Sequence, residues 1–243
     1  MRIKILLLVC ALGYSVALEA SSINVRTYIP KNAPTYLPIL VEEVDRYFPE
    51  VPKPHYFGGL IEQESCISLT HSRCWSAKAE LKTSREQGVG LGQITRTFNE
   101  DGSTRYDSLK ALRSAYLQEL RDLSWENVHS RPDLQIRAIV LMSRDNYQRL
   151  GMIEDPIERL KMADASYNAG LRNITNERRA CGLAKGCNPN VWYRNVENHC
   201  LRSKRPLYGG KSACDITREH VYNVFELRMH KYAPFFSTEQ KSQ

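Results

Sequence analysis

A carboxyl group that closes an apolar stretch is placed to hold a proton rather than a charge. The segment Gly59-Leu60-Ile61-Glu62-Gln63-Glu64-Ser65 has this character, with Tyr56, Phe57, Leu60 and Ile67 close to Glu64 in sequence. Burial among such side chains disfavours the anion and raises the carboxyl pKa, which is what a general acid needs near neutral pH. Two further segments offer groups that orient. In Gly88-Val89-Gly90-Leu91-Gly92-Gln93-Ile94, three glycines let the backbone pass close to a neighbour, and Gln93 can present both edges of its amide. In Ala165-Ser166-Tyr167-Asn168-Ala169-Gly170, a helix end presents a phenol and an amide. Each has an ordinary use when taken alone: a solvated glutamate, a turn, a helix cap. Their combination and order carry more than any one of them does.

Helical patterns dominate the elements that must position these groups. Leu37, Leu40, Val41, Val44 and Tyr47 recur at helical spacing, and Phe57 to Ile67 forms a second candidate after Pro52 and Pro54. A third is predicted from Tyr106 to Leu123. Ser130-Arg131-Pro132-Asp133 reads as a capping box with proline in the first turn, opening a helix from Leu134 to Leu150. Leu134, Ile136, Ile139, Val140, Leu141 and Met142 leave that helix little polar face, which suits a buried central position. Asp155-Pro156-Ile157-Glu158 opens another helix, ending at Asn168-Ala169-Gly170, where glycine is a natural stop. Further helical stretches are predicted around Val191 to Cys200 and Thr217 to Tyr232. Two-residue alternation is scarce, so any sheet is small and falls between Ala79 and Asp107. The expected class is mainly α: one helical domain over residues 22–236, with a small or vestigial β region and stapled loops.

Composition narrows the setting. With 243 residues, 42% hydrophobic and 25% charged, the chain can bury a sizeable core and has neither a disordered nor a fibrous composition. Its net charge of +7 suits an anionic partner, but the basic residues are scattered, as on an ordinary solvated surface. The N-terminus runs from basic Met1-Arg2-Ile3-Lys4 through an apolar stretch, Ile5 to Val16, to small residues at Ala17 and Ala20. That is the layout of an export signal over residues 1–20, too short for a membrane span. Removal of that leader takes Cys10 with it and leaves Cys66, Cys74, Cys181, Cys187, Cys200 and Cys214. An even number in an exported chain points to disulfides; about fifteen connectivities exist, of which the local set Cys66–Cys74, Cys181–Cys187 and Cys200–Cys214 is expected. No Cys-x-x-Cys or His-x-x-x-His pair suggests a metal, so neither metal nor cofactor is expected.

The order of these motifs resembles the soluble lytic transglycosylase domain of the lysozyme-like superfamily. That family runs Glu-Ser, then Ser-x-x-Gly-Ala-x-Gly-Leu-Met-Gln, then Ala-Tyr-Asn-Ala-Gly, and often Glu-Thr-Arg-x-Tyr-Val-x-Asn-Val near its end. This chain has Glu64-Ser65, Gly90-Leu91-Gly92-Gln93, Ser166-Tyr167-Asn168-Ala169-Gly170 and Ile216-Thr217-Arg218-Glu219-His220-Val221-Tyr222-Asn223-Val224. The likeness covers roughly Phe57 to Phe236. It implies a lysozyme-like α+β fold with Glu64 as the catalytic acid. By the same resemblance Ser65, Ser84, Gln93, Tyr167, Asn168 and His220 take substrate-binding positions. There are departures: a longer stretch between Glu64 and Ser84, Gly92 in place of methionine, Gln87-Gly88 in place of Gly-Ala, and His220 in place of tyrosine. Ala180 to Asn190 and Leu201 to Asp215 are additions.

The resemblance further implies cleavage of the β-1,4 link from N-acetylmuramic acid to N-acetylglucosamine in peptidoglycan; the export signal implies a periplasmic or secreted protein, and a monomer is expected. One glutamate acts as acid and then as base, and the product is a 1,6-anhydro sugar. Glycan strands are the expected partner, with an envelope-spanning secretion or conjugation machine as a further one, and no nucleic acid. Two alternatives stay open. A hydrolytic lysozyme on the same fold would need water and often a second acid, drawn from Glu62, Glu86, Glu100, Asp101 or Asp164. A wall-binding or assembly protein would keep the fold without strong turnover.

Overall fold

The helix predicted from Leu37 begins earlier, at Ala33, where Pro34 suits the first turn, and runs to Tyr47 as α1. A computed structural model describes residues 23–237; the leader expected over residues 1–20 lies outside them. Helix α2 spans Tyr56–Ser65. Four short strands follow, β1 (Glu80–Lys82), β2 (Glu86–Val89), β3 (Ile94–Phe98) and β4 (Thr104–Asp107), paired antiparallel in sequence order. Then come α3 (Ser108–Ala115), α4 (Pro132–Arg149), α5 (Pro156–Ala169) and α6 (Leu171–Leu183). A two-stranded ribbon, β5 (Pro206–Tyr208) with β6 (Lys211–Ser212), leads into α7 (Ala213–Tyr222). The chain closes with a π-turn over Asn223–Arg228 and a 3₁₀ stretch over Met229–Phe236. The fold is mainly α with a small antiparallel sheet, and the three disulfides are the local pairs Cys66–Cys74, Cys181–Cys187 and Cys200–Cys214.

Helix α4 explains its own narrow polar face. Ile136, Ile139 and Val140 join a core shared with α1, α2, α5 and α7, while Leu134, Ala138 and Leu141 join a second core under the sheet with Val89, Ile94, Leu109 and Leu112. A helix lying between two cores keeps only a narrow polar stripe, here Arg137, Arg144, Asp145, Gln148 and Arg149. Among the described residues no helix is long and apolar enough to cross a membrane.

Several predicted elements change form. The helix predicted from Tyr106 to Leu123 is a strand end, then α3, then turns: Asp107 accepts a hydrogen bond from the Lys110 amide and starts α3 at Ser108. Leu120 and Leu123 are buried all the same, so the apolar spacing is real but the backbone under it is not helical. The capping box at residues 130–133 does not form. Ser130 donates to the Asn127 carbonyl, and Asp133 accepts two hydrogen bonds from the Arg131 guanidinium. Only a 3₁₀ turn, Val196–His199, stands where a helix is predicted from Val191 to Cys200. Helix α6 has no counterpart in the prediction, because its inward positions are Ile174, Glu177 and Cys181, a stripe that reads as polar. Asp155 does cap α5, accepting from the amides of Ile157 and Glu158. Gly170, at φ +86°, ends α5 and lets α6 leave in a new direction.

Candidate active site

Helix α2 must lie close to the C-terminal segment for Glu64 to reach the groups it meets. Two glycines allow this: a Cβ on Gly58 would sit 2.4 Å from Tyr232 Cγ, and one on Gly59 would sit 2.9 Å from Met229 Cβ. Glu62 locks the contact. It accepts from Arg228 Nη1 (2.9 Å), Lys231 Nζ (2.9 Å) and the Tyr232 hydroxyl (2.5 Å), and Trp75 Nε1 donates to that hydroxyl in turn (2.9 Å). The carboxylate is fully buried and fully paired.

Two residues further along, Glu64 stands where two depressions meet. Both are lined by Glu64, Glu86, Gln93, Thr95 and Asn168. One runs on past Arg73, Leu81 and His220, the other past Thr97, Tyr106, Asn146 and Tyr167. Together they make a groove with the carboxyl at its middle. The Glu64 side chain is 14% exposed. Burial raises its pKa to about 7; the His220 imidazole works against the rise and the Asp164 carboxylate adds to it. Tyr56, Phe57 and Leu60 are fully buried beneath it, whereas Ile67 is 86% exposed and forms groove wall rather than apolar floor.

The structure brings most of the predicted residues together. Gln93 closes the β2–β3 turn in the left-handed region, at φ +47°, a costly conformation for a side chain of its size. Its Nε2 donates to the Gly90 carbonyl (3.1 Å), which fixes the amide beside Glu64. Behind this turn, the Gln135 amide from α4 accepts from the Leu91 N–H (2.9 Å), so the glycines pass close to protein. Gly92 leaves no room for the methionine of the motif: a Cβ there would meet Ile139 Cγ1 at 2.3 Å and the Tyr167 hydroxyl at 2.6 Å. Tyr167 donates to the Gly92 carbonyl (2.7 Å) and so ties α5 to the turn; burial, then the nearby Glu64 and Asp164, push its pKa well up. Asn168 Oδ1 accepts from the Thr217 hydroxyl (2.5 Å), which leaves the amide nitrogen as the edge a ligand can meet. Ser65 lines the groove, yet its hydroxyl donates to the Ile61 carbonyl (2.7 Å) and accepts from the Trp75 amide (3.1 Å), holding the stapled loop in place.

One expected binding residue stands elsewhere, and another is largely withdrawn from the surface. Pairing of Lys82 with Gln87 turns the chain over residues 83–86, which places Ser84 at an exposed hairpin tip. It shares a separate depression with Arg85, Phe98 and Arg105 and does not meet Glu64. His220 lines one depression beside Glu64 but is only 2% exposed, and its ring is engaged by carboxyls: its Nδ1 is 3.3 Å from Glu64 Oε1, and its Nε2 is 3.1 Å from Asp164 Oδ1. The Tyr56 hydroxyl also donates to Asp164 Oδ1 (2.9 Å). Asp164 as a partner of His220 is absent from the sequence reading. The signal was its spacing, since Asp164, Tyr167 and Asn168 recur at three and four residues on one face of α5.

The remaining acids separate clearly. Glu100 and Asp101 are exposed beside the β3–β4 turn, and Glu86 lies on the groove wall. Cys181, Cys187 and His199 cluster within metal-ligand distance, but both sulfurs are consumed in a disulfide and offer no thiolate. The arrangement around Glu64 can donate a proton near neutral pH, orient a polar ligand through two amides, and bind an extended molecule on either side of the carboxyl. Compared with known families and with curated proteins, the chain matches no family model and no curated protein.

Proposed function

We propose that this protein is a peptidoglycan lytic transglycosylase on a lysozyme-like fold. The observation that carries the reading is the placement of Glu64, a carboxyl that burial inclines to hold its proton, where two depressions meet to form a groove. A glycan strand fits such a groove, with the scissile oxygen at the carboxyl. Glu64 gives its proton to the leaving oxygen of the N-acetylglucosamine as the substrate's own 2-acetamido group assists departure at C1. The carboxylate so formed then takes the proton of the muramic 6-hydroxyl, whose oxygen bonds to C1 and displaces the acetamido oxygen. One glycosidic bond is broken, one anhydro bond is made, no water is consumed, and Glu64 ends protonated. Gln93, Tyr167 and Asn168 orient the sugar and the acetamido group.

The disulfides fit an oxidising compartment, so we place the protein in the periplasm or outside the cell. Wall strands are its partner, and a secretion or conjugation machine that must cross the wall is a setting in which it would serve.

A second reading has one observation in its favour: Glu86 lines the same groove as Glu64, where a second carboxylate of a hydrolytic lysozyme would stand. Mass spectrometry of the products from purified peptidoglycan separates the two. Anhydro-muropeptides from the wild type and none from Glu64→Gln are expected. Reducing-end muropeptides would make the protein a lysozyme, and silence from both would favour a wall-binding protein without turnover.

A further inference from the structure

His220 is the feature of the site that acid–base chemistry on one carboxyl does not require. Both of its ring nitrogens face carboxylates, Nδ1 toward Glu64 at 3.3 Å and Nε2 toward Asp164 at 3.1 Å. Asp164 is fully buried and comes from α5; among the described residues its only hydrogen-bond partners are the Tyr56 hydroxyl and His220, and its Oδ2 has none. A buried carboxylate without a cation is strongly disfavoured. The group that can supply the positive charge is the imidazole.

We infer that His220 is a protonated positioning residue, anchored by Asp164, that holds Glu64 in place and stabilises the carboxylate Glu64 becomes once its proton has left. This rests on the proposed role of Glu64 as acid and then base. In the resting site Glu64 is neutral and lies within ion-pair reach of the imidazolium at 3.3 Å; when the leaving oxygen takes the proton, the imidazolium faces a full negative charge and the interaction strengthens. That difference lies between ground state and transition state, where it accelerates the step. It also keeps Glu64 from becoming so weak an acid that it cannot release its proton.

The surrounding groups agree with this assignment. Burial by itself pulls the His220 pKa down, but Asp164, through charge and hydrogen bond, and then Glu64 overcome this and leave it raised. Arg228, from the π-turn, opposes the rise more weakly. Tyr56 at the start of α2 and Tyr167 on α5 both have pKa values pushed well up, burial being the main cause, and contribute no charge.

Two measurements test the inference. The first is ¹⁵N NMR of the histidine side chains in the whole protein at pH 7, with His220 assigned by its loss in His220→Gln. Both nitrogens are expected to carry protons in the wild type, and Asp164→Asn is expected to strip one of them. A neutral His220 in the wild type overturns the inference. The second is the pH profile of muropeptide release from a soluble glycan strand. His220→Gln is expected to lower kcat about tenfold or more, with KM little changed, and to move the alkaline limb to higher pH, because removing the cation makes Glu64 a weaker acid. Asp164→Asn should move the limb the same way but less far, because loss of the Asp164 charge itself makes Glu64 a stronger acid. A variant that loses activity evenly at all pH values, with thermal unfolding unchanged, makes His220 a packing residue and overturns it as well. NMR needs no turnover, so failure of this inference is told apart from failure of the transglycosylase reading, which Glu64→Gln decides.

Discussion

Glu62 and Glu64 lie two residues apart on one helix, and both sit deep against the protein. Glu62 meets a lysine, an arginine and a tyrosine hydroxyl, so its charge is neutralised and its position fixed. Glu64 meets one imidazole and an open groove. On the helix wheel the pair is separated by about 200°, which turns one toward the C-terminal segment and the other toward α5, α7 and the sheet. A buried carboxylate saturated with cations is a structural bolt. One left short of cations in an apolar setting is a proton store.

The largest expected effect breaks the comparison on its reactive side. Glu64→Gln keeps shape and should reduce release of anhydro-muropeptides by about 10²–10⁴-fold, with an unchanged fold by circular dichroism. Residual activity near wild type would remove Glu64 from the chemistry. On the structural side, Glu62→Gln strands Lys231 and Arg228 beside a neutral amide. It should cost about 3–5 kcal/mol in urea unfolding, with the activity of the folded fraction within a few-fold of wild type. Loss of activity at full stability would mean that the two carboxyls share the catalytic role.

The next effect is a crossover with pH. The folded-state pKa of Glu64 is raised from 4.5 to about 7, so the stability it contributes is fully present below pH 4.5 and is lost as pH rises through 7. His220, also raised, acts with the same sign. Removing the titrating carboxyl with Glu64→Gln should therefore make the variant gain on the wild type by up to about 3 kcal/mol between acid and pH 8. A constant difference across that range would mean that Glu64 ionises as an exposed glutamate does.

Smaller effects sharpen the groove side. Cys66→Ser with Cys74→Ser opens the staple that follows Glu64 and should cost about 2–3 kcal/mol, read as a lower urea midpoint. Because that loop carries Ile67 and Arg73 into the groove wall, substrate KM should rise more than kcat falls. Tyr167→Phe deletes the bond to the Gly92 carbonyl and should cost about 1 kcal/mol. No change in thermal midpoint would mean that the turn is held by Gln135 alone.

Much of the molecule is legible in the amino-acid order because the signals are local. Asp155 and Gly170 bracket α5 by backbone chemistry that needs no partner. The short spacings of the cysteines favour near-neighbour pairs, and the apolar crowding of residues 134–142 marks a largely buried helix. The motifs that carry Glu64, Gln93, Tyr167 and Asn168 likewise mark residues that the fold brings to one groove. What the order alone did not decide is which way each side chain faces once elements from distant parts of the chain pack. Ser84 and His220 are the clearest cases. A hairpin register removes the first from the site, and the meeting of α2, α5 and α7 sets the second, at the groove's inner edge, between Glu64 and Asp164. Partners separated by 56 residues, as His220 and Asp164 are, share no local pattern. Their charges find each other only when burial makes an unpaired carboxylate too costly to leave alone.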